Sequence, residues 1–150
     1  MILILGGTAE ARVLAAAIDA DGGSVVTSLA GRVARPRLPA GGLRVGGFGG
    51  AQGLGAWLRD HRVRAVIDAS HPFAERISSS AIAAAAEAGV PLLRLERHGW
   101  SERPGDRWTW VDDLAGAAAA LPSLGDRVFL TTGRQGLAAF AGTSAWCLIR

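Results

Sequence analysis

The sequence predicts an α/β fold, a parallel sheet with helices on both faces, followed by part of a second α/β lobe. Three observations carry this reading. Short aliphatic or β-branched runs alternate with alanine-rich stretches of helical length along the 150 residues. The strand-like runs are nearly all apolar, as strands covered on both faces are. A polar stretch over residues 97–107 interrupts the alternation, which then restarts.

Taken in order, residues 2–5 (Ile-Leu-Ile-Leu) predict a first strand and residues 8–20 a helix dense in apolar residues. Strands follow over 24–28 and 43–45, a helix over 52–61, and a strand over 63–68. Residues 73–88 predict a long helix, with Gly89 as a natural C-cap. A strand over 90–95 completes the first lobe, placed at residues 1–96, and residues 97–150 form a linker and a partial second lobe. There the pattern predicts strands over 108–111, 127–131 and 145–149 and helices over 112–121 and 135–140. Residues 32–42, with Pro36 and Pro39, are too irregular for an element and predict a surface loop. The last strand ends at Arg150 with no helix after it, so the chain is expected to stop partway through an α/β unit.

Composition narrows the function. Apolar residues make up 49% of the chain and charged residues 19%, too apolar for a disordered segment. No apolar run reaches the roughly 20 residues of a membrane helix, and the opening strand lacks a basic leader, so the chain reads as cytoplasmic. The single cysteine, Cys147, excludes an intramolecular disulfide and a cysteine cluster. All sixteen basic residues are arginine, scattered rather than clustered, and the net charge is only +3. This argues against nucleic acid and fits small anionic ligands gripped by a few guanidinium groups. The five tryptophans read as core or interface residues, and His61 and His98 as surface residues.

The sharpest motif is Leu5-Gly6-Gly7-Thr8-Ala9-Glu10-Ala11-Arg12, where the first strand turns into the first helix. A dinucleotide fold of the Rossmann type needs this turn short and bare, so that pyrophosphate can rest on helix N-terminal amides. The usual three glycine positions are Gly6, Thr8 and Ala11 here, with threonine in the middle. Its hydroxyl can donate to a phosphate or cap the helix. The plain alternative is a tight turn with an N-cap. After the second strand, Ser28-Leu29-Ala30-Gly31-Arg32 holds no acidic residue for ribose hydroxyls, while Arg32 can grip a 2′-phosphate. That combination favours NADPH over NADH, although Arg32 alone could be a solvated loop residue.

Three further segments lie at strand ends. Gly46-Gly47-Phe48-Gly49-Gly50 lets backbone approach a flat ligand while the ring covers it, or else forms a flexible linker. Asp68-Ala69-Ser70-His71-Pro72-Phe73 sits where an open sheet binds ligands. His71 there could donate to a carboxylate or deliver a proton, or merely cap the next helix. Thr131-Thr132-Gly133-Arg134-Gln135 suits an anion or a structural turn. No Ser-His-Asp order, metal-ligand spacing or Walker sequence is present, so a bound cofactor is expected to carry the chemistry.

Together these motifs, with Arg44-Val-Gly-Gly-Phe-Gly-Gly50 and Phe129-Leu-Thr-Thr-Gly-Arg134, resemble the precorrin-6A reductase family of cobalamin biosynthesis. The resemblance implies NADPH-dependent reduction of one double bond of precorrin-6A or cobalt-precorrin-6A, a tetrapyrrole rich in carboxylate arms. It implies that Gly6, Gly7, Thr8, Glu10, Ala11, Ser28, Gly31 and Arg32 hold the cofactor, with Gly47, Phe48 and Gly49 beside its nicotinamide. Ser70, His71, Pro72 and Phe73 would line the substrate cleft, with His71 as the catalytic candidate. Thr132, Gly133, Arg134 and Gln135 would meet the substrate from the second lobe, and no metal site is implied. The proton donor and oligomeric state stay open. Two departures stand out: His98 replaces a proline in Arg97-His98-Gly99-Trp100, and family members are longer.

Two rivals differ in class. A non-catalytic NADP-binding sensor would bind the nucleotide without turnover. A nucleotide-sugar epimerase is disfavoured because the chain has no tyrosine. If Arg32 reads the 2′-phosphate, Arg32→Ala weakens NADPH far more than NADH, by about 1.5–3 kcal/mol. Titration calorimetry with both cofactors checks it, and equal losses refute the assignment.

Overall fold

Leu3, Ile4 and Leu5 are buried to 2% exposure or less, and the first unit is layered around them. The computed structural model describes residues 1–31, 38–97 and 99–150, so Arg32, His98 and most of the proline-containing loop lie outside the described residues. The first strand, β1 (Ile2–Leu5), leads into α1 (Ala9–Ala20), β2 (Val25–Leu29) and β3 (Gly42–Val45). Then come α2 (Gly50–Asp60), β4 (Ala65–Asp68), α3 (Glu75–Ala88) and β5 (Leu92–Arg94). The five strands are all parallel, in the order β3-β2-β1-β4-β5. That is the order expected of the dinucleotide-binding half of a doubly wound sheet.

Alternation along β1 decides which helix covers which face. Ile4 points to one side, where Ala11 and Ala15 of α1 pack with Val25 and Ala69. Leu3 and Leu5 point to the other, where Leu54 and Leu58 of α2 and Ala81 and Ala84 of α3 close over them and Val66. Alanine at the helix contacts lets backbone and sheet approach closely. The α3 helix ends as expected at Gly89, whose φ of 66° is the left-handed C-cap.

Contacts divide the chain into two compact units, Met1–Gly99 and Trp100–Arg150. The second unit holds α4 (Leu114–Leu124), β6 (Arg127–Leu130), a 3-10 helix (Arg134–Phe140) and β7 (Trp146–Ile149). The two strands are parallel, and Leu121, Leu130 and Phe140 make their core. Asp113 caps α4 by accepting from the Gly116 amide at 2.7 Å. The opposite face of this small sheet leaves Phe129, Trp146 and Leu148 about half exposed.

Several expectations are corrected. Residues 108–111 form no strand: strand pairing needs a ladder, and among the described residues these find none. Instead Trp108 and Trp110 make an edge-on pair with centroids 5.5 Å apart. The helix expected over 135–140 is a 3-10 helix beginning at Arg134, and α3 starts two residues late, at Glu75. Ala74 bonds back to the His71 carbonyl at 2.8 Å, closing a turn after Pro72 that the helix cannot enter sooner. The α4 helix runs past its expected end at 121 through Pro122, because the Gly125 amide still reaches Leu121. Trp57 packs against a core cluster, whereas Trp100 and Trp110 are exposed rather than buried.

No described helix is long and apolar enough to cross a membrane. The core assignment has a direct check. Leu54→Ala empties a site with 0% exposure between α2 and the sheet, and should cost about 2–5 kcal/mol in urea unfolding. Leu93→Ala, at 57% exposure, should cost well under half of that.

Candidate functional site

The carboxyl ends of β1, β2, β3, β4 and β5 share one edge of the parallel sheet, and strand order reverses between β1 and β4. A crevice opens at such a reversal because successive crossovers leave on opposite faces. The turn after β1 occupies it. Gly6 lies against β2, where a Cβ would stand 2.5 Å from the Thr27 methyl, so the tight approach requires glycine. Gly7 needs glycine for a different reason: its φ is +115°, and no atom lies within 4 Å of where a Cβ would be. The backbone at Gly7 therefore borders open space at the head of α1.

Thr8 resolves the two roles left open for its hydroxyl. Its oxygen accepts from the Ala11 amide at 3.1 Å, capping α1, while its proton goes to the Ala69 carbonyl at 2.7 Å. The β1 turn is thereby tied to the end of β4, across the reversal point. Ala11 is fully buried against the sheet and supplies packing and the capped amide. Helix geometry gives the amides of Ala9 and Glu10 no intrahelical acceptor, so the first turn of α1 keeps donors for an anion.

Beyond β4, buried Asp68 accepts both the Ser70 amide (3.1 Å) and the Ser70 hydroxyl (2.6 Å). The Ser70 proton is thus committed inward, and its lone pairs face outward. His71 is exposed, and its Nδ1 accepts from the Phe73 amide at 3.2 Å. This bond shapes the turn rather than capping α3, whose N-cap is Ala74. It also leaves the proton of the neutral ring on Nε2. Phe73 is 87% exposed, its ring 5.0 Å from that of His71.

Glu10 faces a shallow cleft with Thr8, Ser70, Pro72 and Arg97, and Arg97 Nε stands 3.6 Å from its Oε1. Glu10 Oε2 is buried with no hydrogen-bond partner among the described residues. Glu10 thus turns toward the end of β5. His61 lies elsewhere, exposed at the C-cap of α2 and stacked on Trp57 at 4.1 Å.

The glycine segment after β3 is not a free linker. Arg44 donates to the Gly46 carbonyl at 2.6 Å and the Gly47 carbonyl at 2.8 Å, and its guanidinium lies 3.7 Å from the Phe48 ring centre. Phe48 in turn meets Trp57 edge-on at 5.6 Å. Gly49 takes a left-handed conformation (φ 79°) ahead of α2, and Gly31 packs close to Val45. The Phe48 carbonyl presses so near Gly53 that any Cβ there would collide with it.

Gly6, Gly7, Thr8, Glu10, Ala11, Ser28, Gly31, Gly47, Phe48, Gly49, Ser70, His71, Pro72 and Phe73 therefore all lie in the first unit. Thr132, Gly133, Arg134 and Gln135 lie in the second unit, after β6. There Gly133 has φ +75°, and an exposed Arg134 opens the 3-10 helix. Arg44, Asp68, Gly53 and Arg97 gain roles that residue spacing did not reveal. The prior signals were the arginine two residues ahead of a glycine cluster and the place of Asp68 at the end of a strand-like run.

A family model described as "Precorrin-6x reductase CbiJ/CobK" matches residues 1–150. The chain belongs to this family. It is 58% identical over 151 residues to the precorrin-6A reductase of Rhodococcus erythropolis, covering 99% of this chain and 61% of that protein. It is 35% identical over 141 residues to the cobalt-precorrin-6A reductase of Priestia megaterium, covering 93% of this chain and 55% of that one. The solved structure of CobK precorrin-6A reductase superposes with a TM-score of 0.92 at 47% identity. It covers 99% of this chain and 59% of that one, so the chain spans about three-fifths of the CobK structure's length. Members of the family are reductases, which need a hydride donor.

If Thr8 ties the two turns together, Thr8→Val should lower stability by about 1–3 kcal/mol in urea unfolding, while Thr8→Ser stays within about 1 kcal/mol of the parent. Equal losses for both would show that packing, not the hydroxyl, matters.

Proposed function

We propose that this chain provides the NADPH-binding lobe and part of the second lobe of a precorrin-6A reductase, acting in cobalamin biosynthesis in the cytoplasm. The reaction is reduction of one double bond of the macrocycle of precorrin-6A, or of its cobalt form. The observation that carries the cofactor assignment is the Gly7 turn, open at the strand-order reversal and backed by the head of α1. A diphosphate fits there because the space holds no side chain and the amides of the first helical turn face it. The end of β2 supports the phosphorylated cofactor: Ser28 and Gly31 stand where an acidic residue would select a free ribose.

When bound, NADPH supplies the hydride that reduces the carbon–carbon double bond, and a proton completes the neighbouring carbon. The chain's own part is to bind, orient and neutralise. Gly6, Gly7, Thr8, Glu10 and Ala11 form the turn that receives the diphosphate; Arg32, outside the described residues, is the candidate for the 2′-phosphate that the sequence offers. Gly47, Phe48 and Gly49 follow β3, on the β2 side of the strand-order reversal, and form a wall at the adenosine end of the cofactor rather than beside its nicotinamide, held in place by Arg44. Ser70, with its proton turned to Asp68, offers lone pairs to a donor on the ligand. His71 is the one titratable side chain of the β4 turn that is exposed, and its Nε2 proton can meet a substrate carboxylate or the reacting edge. Phe73 beside it offers a flat apolar surface to the macrocycle. Thr132, Gly133, Arg134 and Gln135 would contribute from the second lobe, with Arg134 as a partner for carboxylate arms.

Mixing the protein anaerobically with NADPH and precorrin-6A tests the reading, following the absorbance of both. The expected outcome is oxidation of NADPH in step with loss of the precorrin band. Under the same conditions His71→Ala should lower kcat about a hundredfold or more, as loss of a positioned acid or base does, and leave NADPH affinity nearly unchanged. NADPH binding without oxidation in the presence of substrate would identify a nucleotide-binding module instead.

A further inference from the structure

The register of β2 and β3 pairs Ser28 directly with Arg44. This places a guanidinium beside the serine at the end of β2, and Arg44 Nη1 reaches Ser28 Oγ at 3.4 Å. The same nitrogen donates to the Gly46 carbonyl, and Nη2 donates to the Gly47 carbonyl. The Phe48 ring covers one face of the group. Arg44 is thus held by four neighbours on a half-buried edge. A guanidinium has five N–H donors, and three are engaged by these contacts among the described residues.

The chemistry of the Ser28 contact is directional. Because Ser28 Oγ accepts from Arg44, its own proton remains to be donated elsewhere. Ser28 is only 7% exposed, so few acceptors can approach that proton. Adenosine ribose lies at the end of the second strand in a sheet of this order. An anionic ester on that ribose would meet a fixed cation, two spare guanidinium donors and one hydroxyl donor, with no carboxylate in β2 to repel it.

We propose that Arg44 is the positioning cation that gives this edge its selectivity for a 2′-phosphorylated adenosine. It fixes the glycine loop as a wall and turns the Ser28 hydroxyl toward the phosphate. The inference rests on the dinucleotide reading of the site and adds to it a residue other than Arg32.

The test is isothermal titration of the full chain with NADP+, NAD+ and 2′,5′-ADP, in the absence of substrate. Arg44→Met should weaken NADP+ and 2′,5′-ADP about tenfold or more and NAD+ less than about threefold. Arg44→Lys should recover part of the NADP+ affinity through its charge, though not the paired carbonyl bonds. Ser28→Ala should show the same selective loss, and the double variant Arg44→Met/Ser28→Ala should lose less than the product of the two single losses. Should Arg44→Met fail to fold by circular dichroism, Arg44→Lys and Ser28→Ala carry the same comparison. Equal weakening of NADP+ and NAD+ would reduce Arg44 to a loop scaffold and overturn the proposal, as would unchanged affinities. A parent chain that binds neither NADP+ nor 2′,5′-ADP would overturn the dinucleotide reading itself, a result distinct from a parent that binds and a variant that loses nothing.

Discussion

A single buried hydroxyl joins the two turns that flank the strand-order reversal. Thr8 accepts from the head of its own helix and donates to the carbonyl of Ala69, a residue 61 positions away. Glycine in this position would keep the turn bare but leave the Ala69 carbonyl without that donor and the helix without a side-chain cap. A buried carbonyl stripped of its partner costs about 1–3 kcal/mol, and a lost cap about as much. Threonine thus trades a little backbone openness for rigidity between β1 and β4. The openness that an anion needs is displaced one residue, to Gly7, where positive φ and empty space coincide.

The other end of the edge is organised by a similar economy of side chains. Arg44 satisfies two loop carbonyls that would otherwise need water and covers the Phe48 ring. Phe48 then leans on Trp57, and Gly53 makes room for the Phe48 carbonyl at the start of α2. A segment with four glycines around one phenylalanine has every compositional mark of a flexible linker. It behaves as a wall because one guanidinium binds it at both carbonyls.

Much of this was legible in the residues themselves. The runs at 2–5, 24–28 and 63–68 place β1, β2 and β4 to within two residues, because each is centred on aliphatic residues that the sheet buries, such as Leu3, Val25 and Val66. Gly89 ends α3 where a left-handed residue is needed. The glycine turn and the Asp68 to Phe73 segment were visible as strand ends, and the sheet brings them to one edge. What could not be read were relations that depend on register and crossover. Ser28 and Arg44 are sixteen residues apart and become neighbours only when β2 and β3 pair. Thr8 meets Ala69 only once β4 lies beside β1. Residues 108–111 failed in the opposite sense: an alternating pattern describes a surface fit for pairing, but a strand exists only where a partner edge is aligned.

The hydroxyl protons of Thr8 and Ser70 have assigned directions, and this limits what each group can offer. Thr8 gives its proton to the backbone and Ser70 gives its own to Asp68, so neither hydroxyl is a donor to a ligand without breaking a bond of 2.7 Å or shorter. Breaking such a bond in a buried setting forfeits roughly what a new one returns. Donation must therefore come from elsewhere: from the amides that open α1, from the Ser28 hydroxyl and the spare guanidinium donors of Arg44, and from His71 Nε2. The first two lie at the ends of β1 and β2 and the third in the β4 turn. In the proposed reading, anion recognition and proton delivery fall to different residues on one sheet edge, and a substitution in one set should leave the other's chemistry intact.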